Sequence, residues 1–182
     1  RVFMNRIWDQ HFSAGLIGTP SDFGSQGDRP THPELLEYLA SEFVAHGWDL
    51  KWLHHEILLS ATYRQASLFR SDADAVAPAN QFLWRMNRRR LDIEMWRDAT
   101  LMATDKLDLA IGGPSQPVDD LNNVRRTIYA TVAREEMNGI LRMHDFPEAS
   151  SHSPRREHTT TPLQQLFVLN SPWMEKQADD LW

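Results

Sequence analysis

Three stretches of this chain gather side chains able to do chemistry. The first holds His11, Asp22, Asp28 and His32. His and Asp are ordinary zinc or iron ligands, so His11, Asp22 and His32 form a candidate metal set. Aspartates here also suit turns, through side-chain bonds to the backbone, and His32 stands beside a helix start where it can bond locally. The second is His54-His55-Glu56. It falls in a helical pattern, where neighbours in sequence point about 100° apart, so the two His cannot chelate one metal as an i, i+4 pair would. One of them should face solvent.

The third stretch, 144–162, is the richest. It carries three His, three acids, two Arg and six hydroxyl side chains, immediately before a helix start. A helix N-terminus offers free N–H groups and a positive dipole end, which favour anions. Arg155 and Arg156 can add forked hydrogen bonds, with Asp145, His152 and Thr159 alongside. Arg125 and Arg126 form a second pair. A sugar carboxylate, a sulfate or an acidic partner side chain fits such a grip. The competing reading is structural. Long irregular loops use Arg and Thr to satisfy their own carbonyls and amides, and Arg125 and Arg126 can pair with Asp119 and Asp120.

Other site patterns are missing from the sequence. There is no G-x-S-x-G elbow, no phosphate-binding glycine loop and no H-E-x-x-H. With no cysteine, the segment has no disulfide, thiolate metal site, cysteine nucleophile or C-x-x-C-H attachment for a c-type haem. No cofactor is therefore expected within the chain, unless a metal sits on the His/Asp set. The net charge of −6 argues against a nucleic-acid partner, which a basic face would serve. No uncharged apolar run nears the roughly 18 residues of a membrane span. Apolar residues at 41% and charged residues at 24% are those of a globular chain. Its 182 residues make one ordinary domain.

The elements that position these groups read as mostly helical. Val2, Phe3, Ile7 and Trp8 set a helix over 2–12, with Gly15 and Gly18 behind it. Residues 19–33 are loop. Thr31 and Glu34 predict a capping box, with Pro33 in the first turn, opening a helix that buries Leu35, Leu36, Leu39, Phe43 and Val44 up to Gly47. Asp49 caps the next, which faces inward through Leu50, Leu53, Ile57, Leu58 and Ala61. Residues 66–79 read as a surface connection, and Phe82, Leu83, Trp84 and Met86 as a short apolar element. Asp92 caps a helix to about Lys106 that buries Met95, Trp96, Ala99 and Met102 or Ala103. The alternating, β-branched stretch 125–133 is the one strand candidate. Thr161, Pro162 and Gln164 repeat the capping-box logic, and Ser171-Pro172 starts a last helix. Trp8, Trp52, Trp84 and Trp96 read as core, and Trp48 as exposed. Both ends, including Trp182, read as cuts within helices.

These pieces match a known pattern in order and spacing. The opening Arg-Val-Phe-Met-Asn-Arg-Ile-Trp-Asp-Gln-His-Phe, then Thr19-Pro20-Ser21-Asp22-Phe23-Gly24 and His32-Pro33-Glu34-Leu35-Leu36, begin it. Ser60-Ala61-Thr62-Tyr63-Arg64-Gln65, Arg90-Leu91-Asp92-Ile93-Glu94, Gly112-Gly113-Pro114-Ser115 and Arg125-Arg126-Thr127-Ile128-Tyr129 continue it. Arg155-Arg156-Glu157 and Thr159-Thr160-Thr161-Pro162-Leu163-Gln164-Gln165-Leu166 close it. Across nearly its whole length the chain resembles the planctomycete cytochrome-associated C-terminal domain family (domain of unknown function 1553, PSD-type). The resemblance implies a piece of a large exported protein, periplasmic or extracellular, with redox- or polysaccharide-linked work and the parent's other domains as partners. It carries over no catalytic residue. Many relatives have a cysteine where this chain reads Ser150-Ser151-His152-Ser153, so an obligatory cysteine site there is not expected.

The sequence thus predicts a mainly α, irregular helical single domain, 1–182, with long loops and at most a small β element. Its function is first a binding or docking module gripping an anionic partner or glycan through the 144–161 loop and the Arg pairs. The alternatives are a metal-dependent hydrolase or oxidoreductase, with ligands drawn from His11, Asp22, His32, Asp145 and His152, and a purely structural domain.

Overall fold

The computed structural model describes residues 1–181. Trp182, which the sequence places in a helix, lies outside them. The described residues form helices α1 (Val2–Phe12), α2 (Pro33–Ala45), α3 (Leu50–Leu59), α4 (Ser71–Val76), α5 (Ile93–Ala103), α6 (Gly139–Met143), α7 (Pro162–Asn170) and α8 (Pro172–Asp179). They contain no strand, only the isolated bridges Asp108–Arg125 and Gln116–Ala130. The chain divides into two compact units, Arg1–Arg89 and Arg90–Trp182.

The first unit is built on α1, whose Met4, Trp8 and Phe12 recur every four residues and so share one face. They pack with Leu16, Ile17, Leu36, Leu39, Phe43, Leu53 and Ile57. Buried Asn5 ties the following loop to this helix. Its amide donates to the Ile17 carbonyl at 3.1 Å, and its Oδ1 accepts from the Ile17 N–H at 2.8 Å. Gly15 must be glycine there, because a Cβ would stand 2.8 Å from both Asn5 Oδ1 and the Ile17 oxygen.

The capping box expected at Thr31 does not form. His32 holds the N-cap position without a side-chain bond, and the Thr31 hydroxyl instead donates to the Leu16 carbonyl at 3.3 Å. Pro33 opens the helix as expected. Gly47 and Trp48, both at positive φ, turn the chain out of α2. Asp49 then caps α3, accepting from Lys51 N at 2.8 Å and Trp52 N at 3.3 Å. The buried stripes are narrower than the apolar pattern predicts. Val44, Leu50 and Leu58 are exposed, while Leu36, Leu39, Phe43, Leu53 and Ile57 are buried. Trp48 is exposed as read, Trp8 is buried, and Trp52 and Trp84 are half-buried.

The second unit corrects two expectations. Helix α5 buries Ile93, Arg97 and Leu101, while Met95 and Met102 face outward. An arginine at the centre of the inward stripe hides that stripe from a hydrophobicity pattern. Residues 125–133 form no strand. Arg97 reaches the Arg125 carbonyl and the Thr127 hydroxyl, each at 3.0 Å, and also the Asn123 carbonyl. Asp98 accepts from Thr127 N at 2.7 Å and Thr127 Oγ1 at 2.6 Å. The Arg125 carbonyl and the Thr127 N–H, which a strand would offer to a neighbour, are thus taken by side chains of α5, Thr127–Tyr129 tightens into a 3-10 turn, and pairing is left only as the isolated bridges at Arg125 and Ala130. Ile93, Val118, Met137 and Leu141 make the second core, with Trp96 and Phe146 packed against it. The Thr161/Gln164 capping box forms as the sequence predicts, and Ser171 caps α8.

Candidate functional site

The loop from His144 to Thr161 is pinned at both ends to helices. Asp145 turns through positive φ, and its carboxylate accepts from Thr159 N at 2.8 Å and Thr159 Oγ1 at 2.7 Å, closing the loop on itself. Arg90 donates to the Thr159 carbonyl and, at 2.9 Å, to Gln164 Oε1. Gln164 is buried and donates onward to the Met143 carbonyl at 2.8 Å. In mid-loop, Arg156 forks onto Glu94 of α5 at 2.7 and 2.8 Å and approaches Asp92 at 3.4 Å. Its guanidinium lies 5.0 Å from the Phe146 ring centre.

These bonds set the electrostatics. Burial by itself would raise the Glu94 carboxyl, but hydrogen bonds and charge from Arg156 hold it below the usual carboxylate range. Arg156 is pushed up in turn, chiefly by its bonds to Glu94. Burial also opposes ionisation of Asp145, yet the bonds from Thr159 and Gln164 and the charge of Arg90 together hold that carboxyl low.

Beneath the loop lies a cavity of about 170 Å³ lined by Arg90, Asp92, Trp96, His144, Asp145 and His158, among others. Arg90, Asp92, His144 and Asp145 are each held by a partner outside it. His144 Nδ1 lies 2.8 Å from the Ile140 carbonyl, which only accepts, so Nδ1 carries the proton. In neutral His144 the lone pair is therefore on Nε2. Its ring lies nearly parallel to Trp96, at 17° and 6.4 Å between centres. His158 Nδ1 stands 3.6 Å from Asp92 Oδ1. The arrangement offers an aromatic wall, two carboxylates and two imidazoles.

Of the residues the sequence singled out, Asp145, Arg156 and Thr159 are brought together in this frame. His152 and Arg155 line an open groove of about 370 Å³ on the loop itself, and both are exposed. Arg125 is engaged internally, donating to the Pro114 carbonyl at 2.8 Å and to the Gly112 carbonyl, above the Tyr129 ring, and not to Asp119 or Asp120. Arg126 is exposed. The metal set is not gathered. His11 Nε2 meets His54 Nδ1 at 2.9 Å, Asp22 accepts from Gly24 N at 2.9 Å, and His32 Nδ1 meets Thr31 Oγ1 at 2.9 Å. His55 faces solvent. Among the described residues no three His, Asp or Glu side chains converge as metal ligands.

Sequence reasoning missed Asp92, Glu94, Trp96, His144 and His158 as parts of the frame. Asp92 stands at the N-cap position as predicted, but its side chain makes no cap bond and faces Arg156 and His158 instead. The available signal was charge. An Arg in a loop before a helix calls for carboxylate partners, and Asp92 and Glu94 supply them to Arg156.

The sequence model of a family described as PSD1, protein of unknown function (DUF1553), matches residues 1–182. The chain belongs to the PSD1 family. No curated protein and no solved structure matches it. The match covers both units, so the PSD1 domain includes the loop frame and its cavity as well as the α1–α4 unit.

Proposed function

We propose that this PSD1 chain is a non-catalytic binding module of a larger extracytoplasmic protein, and that its ligand is a hydroxyl-rich glycan seated in the cavity under the 144–161 loop. The observation that carries this reading is the cavity's composition: Trp96 as an aromatic wall, with Asp92, Asp145, His144 and His158 around it. Aromatic faces stack on the C–H face of a sugar ring, and carboxylates and imidazole nitrogens accept from its hydroxyls. Pre-oriented polar groups reduce the ordering cost of binding. The ligand is neutral at this position, because an anion would meet Asp92 and Asp145 while the one arginine of the lining, Arg90, already donates to the Thr159 carbonyl and Gln164. Arg156 is already matched by Glu94 and Arg125 by backbone carbonyls, so neither is available to grip an anion here. The exported setting and the other domains of the parent protein come from the family resemblance.

The test is retention of the purified chain on a panel of insoluble polysaccharides, with calorimetry on soluble oligosaccharides of any that retain it. His158→Ala, half-exposed and outside the core, should weaken binding about tenfold. A chain that binds none of the panel, or whose binding is unchanged in His158→Ala, overturns the reading.

A further inference from the structure

A second concavity lies on the other face of α5, between that helix and the 126–132 segment. It holds about 410 Å³, within the range of small-molecule sites. Buried Leu141 and half-buried Phe146 form its base, and Met95, Ile128 and Val132 form its walls. The wall side chains are exposed, Ile128 at 70% and Val132 at 44%. Arg126 stands at the rim, and its guanidinium has no hydrogen-bond or ion-pair partner among the described residues.

The two acids nearby do not serve Arg126. Both oxygens of Glu94 are held by Arg156. Asp98 Oδ1 takes the Thr127 N–H and hydroxyl, and the buried Arg97 guanidinium lies beside it in charge. The lone uncompensated charge at the groove is therefore a cation with a planar fork, set beside an apolar trough. The geometry points to a binding site for a small organic acid, a carboxylate carried on an alkyl or aryl body. The apolar body displaces water from Ile128, Val132 and Met95, and the carboxylate takes two parallel N–H bonds from Arg126. This site is separate from the glycan cavity and does not rest on that reading.

The probe is 4-phenylbutyrate, with 4-phenylbutyramide as its uncharged counterpart, titrated into the full chain by calorimetry and by amide-resolved NMR. The acid should bind saturably and shift amides around 126–132 and 95. The amide should bind at least about tenfold more weakly, and Arg126→Gln should lose the same factor for the acid. Val132→Glu, on an exposed position, should also abolish binding while the helical circular dichroism is unchanged. His158→Ala should leave acid binding as it was. Equal binding of acid and amide, an unaffected Arg126→Gln, shifts confined to another region, or no saturable binding at millimolar acid each overturn the assignment.

Discussion

At the scale of single residues, two contacts make sharp predictions. His11 and His54 meet nitrogen to nitrogen at 2.9 Å, so one must donate and the other accept, and the contact fails if both are protonated. Burial lowers the pKa of His11, and the charges of His54 and Arg89 lower it further; the Tyr63 ring edge also faces it. The unfolded chain therefore takes up this proton first. Stability from the pair is complete above the unfolded value of about 6.5 and declines as pH falls through the window toward the lowered native value. Urea midpoints measured from pH 8 to pH 5 should fall in the wild type and be flatter in His11→Gln. Equal slopes would show that the pair does not titrate with folding. Arg156 is the second case. Its fork onto Glu94 is half-buried, and removing it leaves that carboxylate without its donors. Arg156→Gln should cost about 2 kcal/mol in chemical denaturation, and Arg156→Lys should recover only part of it, since an ammonium cannot span both oxygens.

At the scale of elements, local signals were reliable where the partner of a group lies within a few residues. The capping box at Thr161 and the Asp49 cap close within one turn, and both form. Thr31 and Asp92 carry the same local signal and do otherwise, because each finds a distant partner: the Leu16 carbonyl for one, Arg156 for the other. Helix α5 is the clearest case. Its length was legible, but its inward face was not, because Arg97 sits at the centre of the buried stripe and serves carbonyls some thirty positions away. Arg97→Met should show how much rests on this. It keeps the bulk of the chain but leaves the carbonyls of Asn123 and Arg125 short of donors, and should destabilise the second unit by about 3 kcal/mol. A loss under about 1 kcal/mol would mean that water replaces the guanidinium. Thr161→Ala should cost only about 1 kcal/mol, the ordinary value of a lost cap.

At the scale of the whole molecule, each unit has a core of its own: one around Trp8 and Phe12, the other around Ile93 and Leu141. Residues 90–182, expressed alone, should therefore fold, with helical circular dichroism and a cooperative melt. An unfolded fragment would support the single-domain organisation that length by itself favours. The sequence determined the helical class, the starts of the longer helices α2, α3, α5, α7 and α8, and the family, because these depend on short-range periodicity, breakers and motif order; it did not mark the short α4 and α6, which fall in stretches that read as loop. It also marked the 144–161 loop as the place where polar chemistry gathers. Tertiary structure decided which charges remain available to a ligand. Arg125 is absorbed by the carbonyls of a neighbouring loop and Arg156 by a carboxylate 62 residues earlier, while Arg126, adjacent to the first of them, is left facing an apolar groove. Two arginines next to each other in sequence are equivalent in any local reading; they differ only once the fold has decided which one meets a partner, because the strength of a charge as a binding group depends on what already surrounds it.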